Sequence, residues 1–288
     1  MKPAITGVPM YFPPSIFDLD LAVTCAKIVD TAYAMETQWK DQGKPKEKKF
    51  EWQPPDDGFD YSAPIWGESE IFAFLERKEP FGFTARCGAQ VFLAFRGTAT
   101  QADDVEDLEI RQVDYDVPGL AGFGKVQKGF SEIYSSMRET VLAALGTPPS
   151  RPGQVVVTGH SMGSALSTLA FPDLLTNSGY RVPEWDVVQY NLASPRLGDV
   201  GFAASYDGLA AAQGWKNALT YRIVNVEDLV PETPPAELRD ASYQHVGIAV
   251  DFSAQYGGVL ANHSNHDTYL YALEHPDAPI DPSRLAPG

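Results

Sequence analysis

Cysteine is nearly absent. The 288 residues carry two, Cys25 and Cys87, so no disulfide framework organises the chain, and Cys25, inside an apolar helical pattern, reads as a small core residue. Long apolar runs are missing too: none approaches the ~20 residues that cross a bilayer as a helix. Basic residues are scarce, with 22 Lys and Arg against 38 Asp and Glu, giving a formal charge of −16. Such an acidic surface repels nucleic acid and anionic lipid and favours solubility. Histidine numbers five, and no spacing of His with carboxylates matches a metal motif such as H-E-x-x-H. Neither a metal nor an organic cofactor is therefore expected. The opening Met1-Lys2-Pro3-Ala4-Ile5 runs into Gly and Pro rather than a continuous apolar segment, so it does not read as a secretory signal. A cytoplasmic location and secretion with the signal removed both stay open.

What remains is ordinary for a globular protein: 44% hydrophobic and 21% charged residues, enough to bury a core. Residues 18–38 read as a helix, with Leu21, Cys25, Ile28, Val29 and Ala32 on one stripe. The lysine-rich stretch from Lys40 to Lys49 reads as a solvated loop. Phe81–Cys87 and Gln90–Phe95 read as strands joined at Gly88-Ala89. Thr98 to Gly124 looks irregular and acidic, and Phe130 to Leu145 reads as an amphipathic helix stopped by Gly146. Val155-Val156-Val157 is a short β-branched run of the kind buried in a parallel sheet. A helix over Ser164–Leu175 follows it, then strands at Asp186–Leu192, Thr220–Val226 and Val246–Phe252, and a last helix at Asp267–Glu274. Strands alternating with helices predict an α/β fold with a mostly parallel central sheet and helices on both faces. With no internal repeat and no clear linker, the expectation is one domain over residues 1–288.

Gly159-His160-Ser161-Met162-Gly163 fits G-x-S-x-G. The pattern alone is weak, but here a strand enters it and a helix leaves it, which is the context a strained, exposed nucleophilic serine demands. The glycines two residues either side remove Cβ atoms that would hold strand and helix apart. The helix starting near Met162 aims its N–H groups and positive dipole end at a developing oxyanion.

A serine hydroxyl needs a base, and the base needs a carboxylate to orient it. In an α/β-hydrolase the order along the chain is Ser, acid, His. Asp228 is the best acid, because it follows the strand ending at Val226, at the edge where catalytic loops of a parallel sheet gather; Glu227 is the runner-up. His263 and His266 compete as base. His245 reads as a backbone-anchoring residue, and His275 as a cation at a helix C-terminus.

Several segments together resemble the class 3 lipases, a family that includes filamentous-fungal triacylglycerol lipases and feruloyl esterases. Val91–Thr98 resembles the family's strand ending in F-R-G-[ST], and Val126-Gln127-Lys128-Gly129-Phe130 its V-H-x-G-F. Val157–Gly163 matches the elbow, Ser194–Asp199 the P-R-[VL]-G-[DN], and Tyr221–Pro231 the Y-R-x-V-N-x-x-D-x-V-P. The likeness covers Phe81 to Leu273. It implies Ser161 as nucleophile, Asp228 as acid and, through H-x-x-Y matching His266-Asp267-Thr268-Tyr269, His266 as base. It further implies an oxyanion hole from the N–H groups of Thr98 and Met162, and a structural ion-pair role for Arg96.

Two departures shape the expected function. Gln127 stands where the family often has His. The acidic segment 99–112 stands where lipases carry an apolar lid, and Ala102, Val105 and Leu108 give it only a thin apolar stripe. The resulting expectation is a serine carboxylic-ester hydrolase acting on small esters or lipids through an acyl-enzyme. Its contact with lipid interfaces would be transient, and soluble or short-chain esters would be preferred. An acyltransferase sharing that acyl-enzyme, a phospholipase or feruloyl-type esterase, and a non-catalytic binding protein are the alternatives.

Overall fold

A computed structural model of the chain describes residues 17–69, 77–98, 111–150, 153–180, 185–212, 220–238 and 240–285. The first helix, α1 (Leu19–Asp41), starts where Asp18 caps it, its carboxylate accepting the Leu21 N–H at 3.0 Å. Asp20 in the first turn and Lys40 in the last both suit the helix dipole. Its buried stripe runs Leu21, Cys25, Ile28, Val29, Ala32, Met35 and Trp39, which extends the predicted helix by a turn.

The strands follow as β1 (Asp60–Tyr61), β2 (Ile65–Ser69), β3 (Arg77–Cys87), β4 (Gln90–Phe95), β5 (Gln112–Asp114), β6 (Lys125–Gln127), β7 (Gln154–His160), β8 (Asp186–Leu192), β9 (Thr220–Asn225), β10 (Glu237–Leu238), β11 (Ala241–Ser242) and β12 (Ile248–Phe252). Eight of them make the central sheet, in the order β1-β3-β4-β7-β8-β9-β12 with β2 also on β3. β4, β7, β8, β9 and β12 run parallel, while β1, β2 and β4 pair with β3 antiparallel. The β3–β4 hairpin turns at Gly88, whose φ of 57° suits a residue without Cβ. β7 lies mid-sheet and is buried from Val155 to His160, as a strand covered on both faces must be.

Among the described residues the further helices are α2 (Lys128–Leu145), α3 (Met162–Asn177), α4 (Val200–Ala212) and α5 (Val259–His263), with a short α6 (Tyr271–Glu274). α2 and α3 pack on each other, and α3 lies on β4, β7 and β8. α1 packs on β3, β4, β7 and β8 and on the C-terminal helical segment. α3 is buried on every side from Met162 to Leu175. Its polar side chains therefore need internal partners: the Ser167 hydroxyl donates to Asn191 Oδ1 (2.5 Å), and Gln189 Nε2 donates to Ser167 (3.0 Å). No described helix is long and apolar enough to cross a membrane.

Several elements differ from the sequence reading, which did not place β1, β2, β10, β11 or α5. Part of the stretch expected to be irregular is a small hairpin, β5 on β6. α4 was not foreseen. The last helix is not regular: Asn265–Leu270 is π-helical, the Ser264 carbonyl accepting from both Thr268 and Tyr269 N–H at 3.1 Å. The acidic segment 99–112, which stands where lipases carry a lid, lies outside the described residues apart from Arg111 and Gln112.

Candidate active site

Ser161 stands between β7 and α3 with φ 58° and ψ −128°, a region that costs a non-glycine residue ~1–3 kcal/mol. The strain is held by neighbours on both sides. The Ser161 N–H donates to Leu192 O at 3.0 Å, and the Ser161 carbonyl accepts the Ser164 N–H at 2.9 Å. The Ser164 hydroxyl lies 2.7 Å from both Gly159 O and Leu192 O, so the elbow is tied to β7 and β8 together. A Cβ on Gly159 would meet Gly163 O at 2.2 Å, and one on Gly163 would meet Phe95 O at 2.3 Å. Only glycine fits at either place. Met162 opens α3, and its N–H lies at the positive end of that helix.

Thr98 follows β4 and is half-buried. The loop before it is packed against the elbow: a Cβ on Gly97 would come within 2.9 Å of Ser161 Cβ. Arg96 is buried and anchors this loop. Its Nε donates to Pro80 O (2.8 Å), Nη1 to Gly97 O (2.7 Å) and Nη2 to Glu79 (2.6 Å), with Glu36 at 3.1 Å from Nη1. Its guanidinium also lies 4.7 Å from the Phe81 ring centroid. Removing one partner of so buried a group typically costs ~3–5 kcal/mol.

Asp228 is buried just beyond β9. One carboxylate oxygen accepts the Val230 N–H (3.0 Å); the other accepts from Tyr269 Oη and pairs with His263 Nδ1, both at 2.7 Å. The structure thus corrects the expected pairing. His266 is mostly exposed and bonds Asp30 of α1 at 2.7 Å through Nδ1, so it does not meet Asp228. The π-helical turn that begins at Ser264 swings it outward. Glu227 points away to Ser253 (3.2 Å) and Gln255 (3.1 Å). His245 bonds Pro231 O at 2.9 Å; burial, then the nearby Arg222 and Arg196, depress its pKa to about 3. His275 stacks on Tyr271 and bonds that residue's carbonyl.

With Nδ1 on Asp228, His263 has Nε2 left for a substrate or a hydroxyl. Its ring packs 4.5 Å from that of His160, centroid to centroid. His160 is buried, and burial together with the neighbouring His263 ring holds its pKa well below the ordinary imidazole value. His160 Nδ1 bonds the Tyr33 hydroxyl at 2.8 Å.

Tyr33, His160, Tyr269 and Asn225 were not assigned roles by the sequence reading. Asn225 stitches the loops together, its amide donating to Ala254 O (2.9 Å) and Asn262 O (3.0 Å). Tyr269 lay inside the matched H-x-x-Y, which was a usable signal. Tyr33 gave none, being one tyrosine on a helix over a hundred residues from the elbow. Among the described residues no group of His, Cys, Asp and Glu is placed to hold a metal ion.

The sequence model described as Lipase (class 3) matches residues 92–238. Phospholipase A1-II 3 of Oryza sativa subsp. japonica is 30% identical over 226 residues, covering 67% of this chain and 50% of that protein. A lipase of Rhizomucor miehei is 32% identical over 151 residues, 51% of this chain and 38% of that protein. The chain spans about half the length of the first plant relatives it matches. Among solved structures, the Rhizomucor miehei lipase propeptide complex superposes with a TM-score of 0.56 at 21% identity, covering 85% of this chain and 70% of the other. Nonglycosylated Yarrowia lipolytica LIP2 lipase gives 0.60 at 19% identity, covering 86% and 82%.

Proposed function

The chain belongs to the class 3 lipase family, and from that premise we propose that it hydrolyses carboxylic esters through a covalent acyl-enzyme on Ser161. The observation that carries the reading is the His263–Asp228 pair at 2.7 Å, on the loops that leave the same sheet edge as the strained serine.

Asp228 holds the imidazole with its proton on Nδ1, so Nε2 is the basic nitrogen. His263 Nε2 takes the hydroxyl proton as Ser161 Oγ bonds the ester carbonyl carbon. The carbonyl oxygen, now an anion, is received by the N–H groups of Thr98 and Met162. As the tetrahedral species collapses, His263 passes the proton to the leaving alkoxide and the alcohol departs. A water molecule then loses a proton to His263 and attacks the acyl carbon, and the acid is released as Ser161 regains its proton. Each oxyanion donor is worth about 10²–10³ in rate.

The substrate we infer is an acyl ester of small or lipid alcohols. The large hydrophobic side chains left exposed among the described residues are Val200, Val226, Leu229, Val259 and Leu260. All sit on segments following the C-terminal ends of β8, β9 and β12. They offer an apolar rim for transient contact with aggregated ester, while the charge of −16 opposes anionic surfaces. Acyl esters of phospholipids are the second reading, favoured by the plant relatives.

The test is a chain-length series of p-nitrophenyl esters, acetate to palmitate, on wild type and Ser161→Ala, with fluorophosphonate labelling of the serine. Activity confined to wild type, label on Ser161 and a preference for the shorter, soluble esters are expected. Activity surviving in Ser161→Ala would remove the nucleophile from the scheme, and a sharp rise above the solubility limit would overturn the soluble-ester preference.

A further inference from the structure

The peptide units on either side of Gly97 are each held by one side chain, that of Tyr33 on α1 and that of the preceding Arg96. The Gly97 N–H donates to Tyr33 Oη at 3.1 Å, and the Gly97 carbonyl accepts from Arg96 Nη1 at 2.7 Å. That carbonyl belongs to the same planar unit as the Thr98 N–H. In a trans peptide the two point in opposite directions, so fixing the carbonyl on a buried guanidinium fixes where the Thr98 N–H aims. A charged donor on the carbonyl also polarises the unit and strengthens its N–H as a donor.

Tyr33 Oη has one proton. It accepts from the Gly97 N–H and shares a second hydrogen bond with His160 Nδ1, 2.8 Å away. His160 Nε2 is buried, and the His160 ring lies against that of His263. One hydroxyl therefore ties the loop before Thr98 to the residue before the nucleophile and to the ring under the base.

We propose that Arg96 and Tyr33 are positioning residues for the oxyanion-binding peptide, acting through the two peptide units around Gly97 and setting the aim of the Thr98 N–H relative to Ser161. This rests on the proposed function, in which Thr98 receives the oxyanion. Neither side chain touches substrate. Their contribution appears in the transition state alone, because an ester carbonyl in the ground state asks little of the donor and the oxyanion asks much.

The experiment compares wild type with Tyr33→Phe and Arg96→Lys. Readouts are kcat and KM on p-nitrophenyl butyrate, and inhibition by a trifluoromethyl ketone against its unfluorinated analogue; only the former forms a stable oxyanion adduct with the serine. For Tyr33→Phe a fall in kcat of about tenfold is expected, less than the ~10²–10³ lost when a donor is removed outright. KM and binding of the unfluorinated ketone should stay unchanged, with trifluoromethyl ketone affinity falling by the same factor as kcat. A merely structural role would lower the melting temperature and leave these ratios intact. Arg96→Lys keeps a charge but loses the fork that spans Pro80, Gly97 and Glu79, and it should fall further; if it does not fold, Tyr33→Phe decides alone. Wild-type kcat and ketone affinity in folded Tyr33→Phe overturn the clamp and leave the hydrolase reading standing. A wild-type protein that neither turns over esters nor binds the fluorinated ketone overturns both.

Discussion

Exchanging each of the two histidines of the C-terminal segment for alanine separates two geometries that lie three residues apart in sequence. In His263→Ala the buried Asp228 loses its histidine partner, and the proposed scheme loses its base. Deleting a triad base lowers kcat on the order of 10⁴–10⁶-fold, or roughly 5–8 kcal/mol of transition-state stabilisation at about 1.4 kcal/mol per decade. His266→Ala breaks an ion pair whose imidazole is 73% exposed and whose Asp30 partner is 26% exposed. Exposed pairs contribute ~0–1 kcal/mol, so His266→Ala should keep activity within about twofold of wild type. Initial rates on p-nitrophenyl butyrate at one mildly alkaline pH would read both, with circular dichroism to show that each variant folds. Added imidazole should restore part of the activity of His263→Ala, because the space left beside Asp228 suits a free base. Loss of activity in His266→Ala, with His263→Ala intact, would refute the reasoning from hydrogen-bond geometry to role.

Asp228→Asn should lower kcat about 10³–10⁴-fold while folding normally, whereas Glu227→Gln, whose carboxylate faces Ser253 and Gln255, should stay near wild type; parallel steady-state assays settle it. Gly163→Ala should destabilise by about 2 kcal/mol or more in urea titrations, because its Cβ would press on Phe95 O at 2.3 Å and Arg96 O at 2.7 Å. His245, depressed to about 3 by burial and nearby arginines, stays neutral in the fold while the unfolded chain takes up a proton below its ordinary 6.5. Stability is then lost as pH falls from 6.5 towards 3, and His245→Gln should flatten that slope by at most about 1.4 kcal/mol per pH unit in unfolding titrations. His266 has the opposite sign: its hydrogen bond to Asp30 raises its pKa. Its small contribution is present below 6.5 and fades as pH rises through the folded value, so His266→Ala should cost stability in mild acid and not in alkali.

The middle of the parallel sheet was legible because its strands are buried on both faces. Val155–Val157 is an unbroken apolar run within β7, and Asp186–Leu192 matches β8 end to end. α4 escaped because Gly201 and Gly208 interrupt it, and glycine costs a helix about 1 kcal/mol relative to alanine; packing of Phe202 against Tyr115 and Phe123 overrides that local preference. β5 and β6, of three residues each, are too short to show alternation. Arg96 illustrates a residue whose type was informative and whose duty was not. A guanidinium in an apolar strand end must find acceptors, but only the fold shows that one of them is the Gly97 carbonyl.

The base is the instructive case, since the sequence held a signal that spacing alone overrode. On a regular helix, residues three apart share a face, so His266 and Tyr269 should reach Asp228 together. The actual partners of Asp228 are Tyr269 and His263, six apart, a separation that one continuous helix would place on different faces. What reconciles them is the break at Ser264. Its side chain accepts the Asp267 N–H at 3.1 Å and caps a new segment, and the π-helical bond from Tyr269 N–H back to Ser264 O adds a residue to the turn. α5 ends at His263 before that break, so His263 approaches Asp228 from one segment and Tyr269 from the next. Ser264-Asn265-His266-Asp267 has the form of a capping sequence, a serine followed three residues later by an acid, and a start signal there divides the two histidines between different helices. Read with that boundary, H-x-x-Y no longer selects His266, and the competition between the two histidines turns on which segment ends beside β9.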